Sequence, residues 1–382
     1  MTSTIIEHSA GPVPRTQRAL APDLLRGAML LFIALANAAN FAFAGQPGLD
    51  GTPHGPQRVV NLLMSLFVNS RAYPVFAIMF GYGLVQMARR NPGGALLRRN
   101  VALIGFGFVH ATLLYFGDFL GAYGIAGVIC TLLLLRRSDR FHRLVLWLWG
   151  LQTAEAVVLG VVIALKVHHG SAVLTNRPDP SLAAGSYRAS LIDRLHEWPL
   201  HTATVLPFIV IVWLGIWAAR RRLLEEPASH RTLLRRAAVA GFAISIAGGL
   251  PYALVSAGWL RVDAGSVQLM SLLHDISGEY GGVGYVALFG LLAVHLARKP
   301  RLVTPVVALG RRSLSGYLFQ SVAWLVLFSP WALGLGGSTW WALFAAIAVW
   351  TVSCVAAQRM SAAGYRGPAE TLLRRITYRT AA

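Results

Sequence analysis

Two ionisable side chains interrupt the apolar stretch FVHATLLYFGDFLGAYG, residues 108–124: His110 and, eight positions later, Asp118. An imidazole titrates near neutrality, and a carboxylate on one ring nitrogen fixes the tautomer so that the other can act as a base. A glycine on each side of the aspartate, Gly117 and Gly121, suits a tight hairpin that folds Asp118 back over the helix carrying His110. With an amide from Asn37 or Asn40 donating to a developing oxyanion, this is the minimal equipment for acyl transfer to a hydroxyl or amine. No serine or cysteine beside the pair reads as an obligatory nucleophile. Attack by a His-activated acceptor and acylation of the imidazole itself therefore both stay open. The competing reading is plain: an interfacial histidine bonded to a carbonyl, and an aspartate serving as a helix N-cap.

The elements that must position these residues are membrane helices. Of the 382 residues, 55% are hydrophobic and only 13% charged, about half the charged share of soluble domains. Several apolar runs approach the roughly 20 residues that cross a bilayer as helix. The pattern predicts an all-α, polytopic membrane protein with about ten spans, near 24–44, 71–88, 96–116, 119–135, 143–166, 203–219, 237–257, 280–297, 313–333 and 338–357. With both termini cytoplasmic, 27 of the 34 Lys and Arg residues fall on the inner side, as the positive-inside rule requires. That divides the chain into a cytoplasmic tail (1–20), a six-helix region (21–219) carrying the His110/Asp118 hairpin, a basic linker (220–236), and a four-helix region with a cytoplasmic tail (237–382). His110 then lies about 16 Å beyond Arg99, on the outer half of the third span. The net charge of +19 sits in short clusters between apolar runs, which argues for membrane loops and against nucleic acid. The N-terminus lacks the basic-then-apolar order of a cleavable signal.

Other polar groups read more blandly. Glu155 is expected to pair inside the bundle, and His295 to snorkel toward the inner basic cluster. His168, His169, His196 and His201 fall in a long outer loop, residues 167–202, without the spacing of a metal site, so no metal is expected. His274, Asp275 and Glu279 read as a solvated outer face, although the i, i+4 carboxylates would suit a cationic or polyhydroxyl acceptor. Residues 45–70 read as a loop and a short helix lying on or dipping into the membrane. Cys130 and Cys354 sit in apolar runs as small core residues.

Five blocks carry a family resemblance. DLLRGAMLLFIALAN, with Asp23, Arg26, Gly27 and Asn37, resembles the opening of the YeiB-like membrane proteins (domain of unknown function 418). RAYPVFAIMFGYGL is similar to their second block through Arg71, Phe80, Gly81 and Gly83, and the His110/Asp118 stretch to their third, through Gly107, Phe108, Leu113, Leu120 and Tyr123 as well. GRRSLSGYLFQS and GPAETLLRRITY match the closing blocks through Gly310, Arg311, Leu314, Tyr317, Gln320, Gly367, Pro368, Glu370, Arg375, Thr377 and Tyr378. Gly316 stands where the family usually has Asn, and Phe32 where it commonly has Gly.

The first block also resembles that of the heparan-α-glucosaminide N-acetyltransferases, which implies a transmembrane acyltransferase. In such an enzyme cytoplasmic acyl-CoA, most simply acetyl-CoA, donates to a hydroxyl or amine of a sugar-like or secondary-metabolite acceptor outside. In those relatives the catalytic histidine lies after the first span, where this chain has His54. The expected machinery is His110 as base or acyl carrier, Asp118 as its orienter and Asn37 as carbonyl donor, with His54 as rival. Among the inner-mouth arginines Arg26, Arg98, Arg99, Arg311 and Arg312, the block residues Arg26 and Arg311 are expected at the CoA, together with Arg71, Tyr317 and Gln320. The implied location is the bacterial cytoplasmic membrane, and a homodimer stays open. A small-molecule permease or proton-coupled transporter is the alternative, and a non-catalytic accessory protein a third reading.

Overall fold

The computed structural model describes residues 19–378 apart from 91–93, 173, 175 and 299. The tail expected over 1–20 therefore lies, up to residue 18, outside the described residues. The described chain is helical, with one two-residue strand pair. Helix α1 (Leu20–Ala42) carries Pro22 in its first turn, where the missing N–H breaks no intrahelical bond. It leads into strand β1 (Gly45–Gln46), α2 (Pro56–Phe67), α3 (Ala72–Ala88) and α4 (Ala95–Leu113). Next come α5 (Leu120–Ile129), continued by a wider π-type turn over Cys130–Leu134, the short α6 (Asp139–His142) and α7 (Leu144–Lys166). Strand β2 (Arg177–Pro178) pairs antiparallel with β1 and ties the two long loops together. The chain continues through α8 (Pro180–Ala183), α9 (Tyr187–Val205), α10 (Ile209–Arg220), α11 (Arg231–Ser256), α12 (Ala264–Leu296), α13 (Pro300–Gly310), α14 (Ser313–Phe328), α15 (Thr339–Ala362) and α16 (Pro368–Tyr378).

Among the described residues, seven helical stretches are long and apolar enough to cross a membrane: Leu20–Ala42, Pro56–Ala88, Asp139–Lys166, Tyr187–Arg220, Arg231–Ser256, Ala264–Leu296 and Thr339–Ala362. Three further apolar helices are shorter, at Leu120–Leu134, Arg301–Gly310 and Ser313–Phe328. Each expected span overlaps a helix. Large apolar side chains also face outward, with Trp147 78% and Leu165 80% exposed on α7 and Phe344 61% exposed on α15. In water this would be a liability, whereas lipid accepts it and leaves every backbone polar group paired within its helix. The chain is a membrane protein.

Two expectations are corrected. The span expected at 280–297 begins earlier, because Asp263 accepts a hydrogen bond from the Ser266 amide at 2.6 Å and caps a continuous 33-residue α12. Within the outer loop expected over 167–202, residues 187–202 are helical, as part of α9, whose Ser186 cap accepts from the Ala189 amide.

The core is built by α1, α3, α10 and α12, where Met29, Ile78, Tyr82 and Ile216 are fully buried together. Lipid tails are as apolar as these side chains, so close backbone approach must do much of the joining. At the α1–α13 crossing the approach is mutual. A Cβ on Gly27 would fall 1.9 Å from the Val306 carbonyl oxygen, and one on Gly310 would fall 1.8 Å from that of Asp23. Only glycine fits either position.

Candidate active site

The helices enclose a cavity of about 950 Å³ that runs from the amino-terminal end of α1 to the end bearing β1 and the start of α12. Its size is at the top of the range usual for small-molecule sites.

The end at the start of α1 is basic. Arg26, Arg99 and Arg311 line it together with Asp23 and Glu370. Arg311 Nε donates to Asp23 Oδ2 at 3.0 Å, Arg26 Nη1 lies 3.9 Å from Asp23 Oδ1, and Arg26 Nη2 donates to the Met79 carbonyl at 3.3 Å. Glu370, from α16, accepts the amides of Leu314 (2.8 Å) and Ser315 (3.1 Å), so it caps the start of α14. These contacts bring the first and the closing sequence blocks to one mouth. The middle is aromatic, lined by Tyr73, Phe76, Phe80, Tyr123 and Tyr317, with Asn37 of α1 also on the wall.

The far end is polar. His274, Asp275 and Glu279 of α12 line it with Asn69 and Ser70. His274 Nδ1 lies 3.2 Å from Asp275 Oδ1, and its Nε2 lies 2.6 Å from Arg71 Nη1 and 2.9 Å from the Ser65 carbonyl oxygen. A carboxylate can only accept from Nδ1–H, which leaves Nε2 to accept from the guanidinium. Ser70 Oγ donates to Asp275 Oδ1 at 2.6 Å, yet the Asp275 side chain remains 56% exposed toward the cavity. Glu279 Oε2 accepts from Gln152 at 2.6 Å. The reading of these three residues as a solvated outer face is therefore corrected. The unbroken α12 turns them, at i and i+4, onto the cavity wall.

The expected His110–Asp118 contact forms: Nδ1 lies 3.0 Å from Oδ1, and Asp118 Oδ2 accepts the Gly121 amide at 2.7 Å, closing the hairpin. The structure adds a third member, since His110 Nε2 lies 2.8 Å from Ser321 Oγ of α14. With Nδ1–H given to the carboxylate, a neutral ring leaves Nε2 as an acceptor for the serine hydroxyl, whose other acceptor is the Tyr317 carbonyl at 3.2 Å, and the three stand in the order of a Ser-His-Asp relay. All three are buried, at 2%, 0% and 1% exposure for His110, Asp118 and Ser321. None lines the cavity. Tyr317 does, and its ring packs on that of His110 at 4.8 Å.

The remaining candidates divide. Asn37, Arg26, Arg311 and Tyr317 are on the wall as expected. Gln320 is buried beside it, donating to the Leu30 carbonyl at 3.3 Å. Arg71 is not at the basic mouth. It is buried at the far end, where its guanidinium also donates to the Asn69 carbonyl (2.7 Å) and to Ser245 Oγ and carbonyl (3.2 Å each). His54 is exposed at the start of α2, its amide given to Gln57 Oε1, and is not on the wall. Glu155 is exposed on α7 and so not paired inside the bundle. His196 and His201 lie on α9, and His201 faces the cavity, edge-on to Phe119.

Comparison with known proteins gives a consistent kinship. Residues 218–380 match the family model described as "Protein of unknown function (DUF418)". The uncharacterized protein YxaH of Bacillus subtilis (strain 168) is 25% identical over 97% of this chain and 96% of its own length. The uncharacterized protein YeiB of Escherichia coli (strain K12) is 26% identical over 96% of this chain and 97% of its own. An uncharacterized 39.9 kDa protein from the amylase 3′ region of Bacillus acidopullulyticus is 25% identical over 96% of each.

Proposed function

The chain is a YeiB-like protein of the DUF418 family, and we propose that it moves an acyl group from acyl-CoA to a hydroxyl or amine acceptor through its central cavity. The observation that carries this reading is the joining, in one cavity, of an arginine mouth to a far end with an exposed carboxylate. In the proposed orientation both termini are cytoplasmic, the ten helical spans cross a bacterial cytoplasmic membrane, and the arginine mouth opens inward. The CoA phosphates meet Arg26 and Arg311, whose planar forks suit phosphate. The pantetheine arm lies along the aromatic middle, and the acceptor enters from the far end.

The reaction is the attack of the acceptor's oxygen or nitrogen on the thioester carbonyl. A new C–O or C–N bond forms, the C–S bond breaks, CoA leaves as thiolate, and the acceptor's proton goes to a carboxylate. Asp275 is that base. It faces the cavity and is oriented by Ser70 and by His274, which Arg71 in turn holds. The Asn37 amide donates to the thioester oxygen as charge develops there. His110, behind Tyr317, is a positioning residue in this scheme, and so is Asp118.

A cavity reaching from end to end also suits a permease, and CoA consumption separates the two. Protein in lipid nanodiscs is incubated with acetyl-CoA and glucosamine, as an amino and hydroxyl probe, and CoA thiol release is followed. Asp275→Asn is expected to lower the rate about a hundredfold or more, as for loss of a general base. An undiminished rate in that variant would sink the assignment of Asp275. Flux of the probe into proteoliposomes without any thiol release would replace the enzyme by the permease.

A further inference from the structure

We propose that Arg99 is an anion-binding group of the cavity, taking a phosphate oxygen of a phosphorylated ligand. The inference rests on the acyl-CoA reading only for the identity of that ligand. Arg99 lies on α4, lines the cavity, and carries its guanidinium over the Phe80 ring at 5.5 Å. Its Nη1 is buried and meets no hydrogen-bond partner. None of the ion pairs among the described residues includes it. Its charged neighbour is Arg26, a like charge.

The carboxylates that share the mouth are already engaged, Asp23 by Arg311 and Glu370 by the start of α14. The basic residues around it have settled differently. Arg98 donates to the Thr377 carbonyl at 3.0 Å, and Arg89 pairs with Glu225 at 3.3 Å. A merely topological arginine at a membrane boundary extends its head to water. Arg99 instead keeps one donor, Nη1, buried inside the wall without a hydrogen-bond partner, beside a second guanidinium and over the Phe80 ring. Two neighbouring cations favour a dianion over a single carboxylate. The ligand class is therefore a phosphate monoester or diphosphate, which Arg binds through charge-assisted hydrogen bonds.

The full chain in nanodiscs, titrated with inorganic diphosphate, tests this. Saturable, salt-sensitive binding is expected, weaker by about tenfold or more in Arg99→Gln, in line with one lost charge-assisted contact. Arg89→Gln should leave it unchanged. Without ligand, Arg99→Gln should melt no lower than the parent. Binding that is equal in parent and Arg99→Gln overturns the proposal, as does absence of binding in the parent.

On the unaltered protein, diphosphate should protect Arg99 from phenylglyoxal as read by peptide mass spectrometry, and equal labelling with and without it also overturns the proposal. A phosphorylated donor is told from a phosphorylated acceptor by KM: Arg99→Gln should raise it for acetyl-CoA and leave it unchanged for S-acetyl-N-acetylcysteamine, which has no phosphate. The two readings fail separately. Thiol release at the parental KM for acetyl-CoA in Arg99→Gln removes the anion site and leaves the reaction standing. Diphosphate binding lost in that variant, with no acyl transfer in the parent, does the reverse.

Discussion

Adding one methyl group at Gly310 should disturb the arginine mouth without touching any charged atom. A Cβ there would fall 1.8 Å from the Asp23 carbonyl oxygen and 3.0 Å from the Gly27 nitrogen. Both obstacles are backbone atoms of α1, so no rotamer can relieve the clash. Reaching even a tight contact of about 3.0 Å requires α13 to back away by about 1.2 Å. Arg311 follows directly on Gly310, and its Nε bond to Asp23 Oδ2 is 3.0 Å long. Displacement by that amount takes the pair beyond hydrogen-bond range. Overpacking of a well-packed interface costs about 1–3 kcal/mol. Gly310→Ala is therefore expected to lower the unfolding midpoint in detergent and to raise KM for acetyl-CoA several-fold, while the aromatic middle and far end keep kcat near the parental value. Gly27→Ala, facing the Val306 carbonyl across the same crossing, should do the same. If Gly310→Ala melts and turns over like the parent, the crossing does not set the mouth, and the role given to Arg311 loses its support.

Other expectations follow from the same geometry. His110→Ala strands the Asp118 carboxylate in the interior and should cost about 3–5 kcal/mol by chemical denaturation, whereas Ser321→Ala should cost about 1–3 kcal/mol. A folded His110→Ala protein with parental stability and no thiol release would return His110 to the catalytic role. His54→Ala should alter neither stability nor thiol release, since the side chain is exposed and off the cavity wall. Asp179, in the loop between α7 and α9, has its carboxyl pushed up to about 7 by burial and by the nearby Glu197. Its folded value exceeds the ordinary 3.8, so its contribution to stability is complete below about pH 4 and fades as the pH rises through about 7. The melting midpoint should fall between pH 5 and 8, and Asp179→Asn should flatten that slope.

How much of the site is legible in the sequence depends on how far apart the partners lie. His110 and Asp118 are eight residues apart, and Gly117 and Gly121 mark the hairpin between their helices, so local spacing alone is enough to expect the contact. Ser321 completes that chain from 211 positions away, and one more serine in an apolar helix carries no mark in a sequence. Helix boundaries fail where a span is read from its apolar run alone. The apolar run suggests a span that begins near residue 280, but α12 already starts at Ala264, and within it Gly282 lets α3 approach while Gly278 and Gly281 lie against Ser70 and against Ser245 and Arg71. Starting the span at 280 leaves His274, Asp275 and Glu279 outside it, facing solvent, when they lie on the cavity wall.

Charge misleads in the opposite direction. The positive-inside rule accounts for every inner arginine equally, so it cannot separate Arg98, which rests on a carbonyl, from Arg99, whose Nη1 has no partner. Arg71 shows the same limit, because its family block says that it matters and not at which end of the cavity. An arginine's role here is decided by what has already accepted its protons. Arg71 and Arg311 are engaged by the protein itself and set its geometry. Arg99 keeps a buried donor that a ligand can take. A substitution series should therefore split along that line: Arg71→Gln and Arg311→Gln should lower the unfolding midpoint of the ligand-free protein, whereas Arg99→Gln should leave it level or raised and lose ligand affinity. A ligand-free midpoint that falls equally in all three variants would show that hydrogen-bond engagement does not distinguish them.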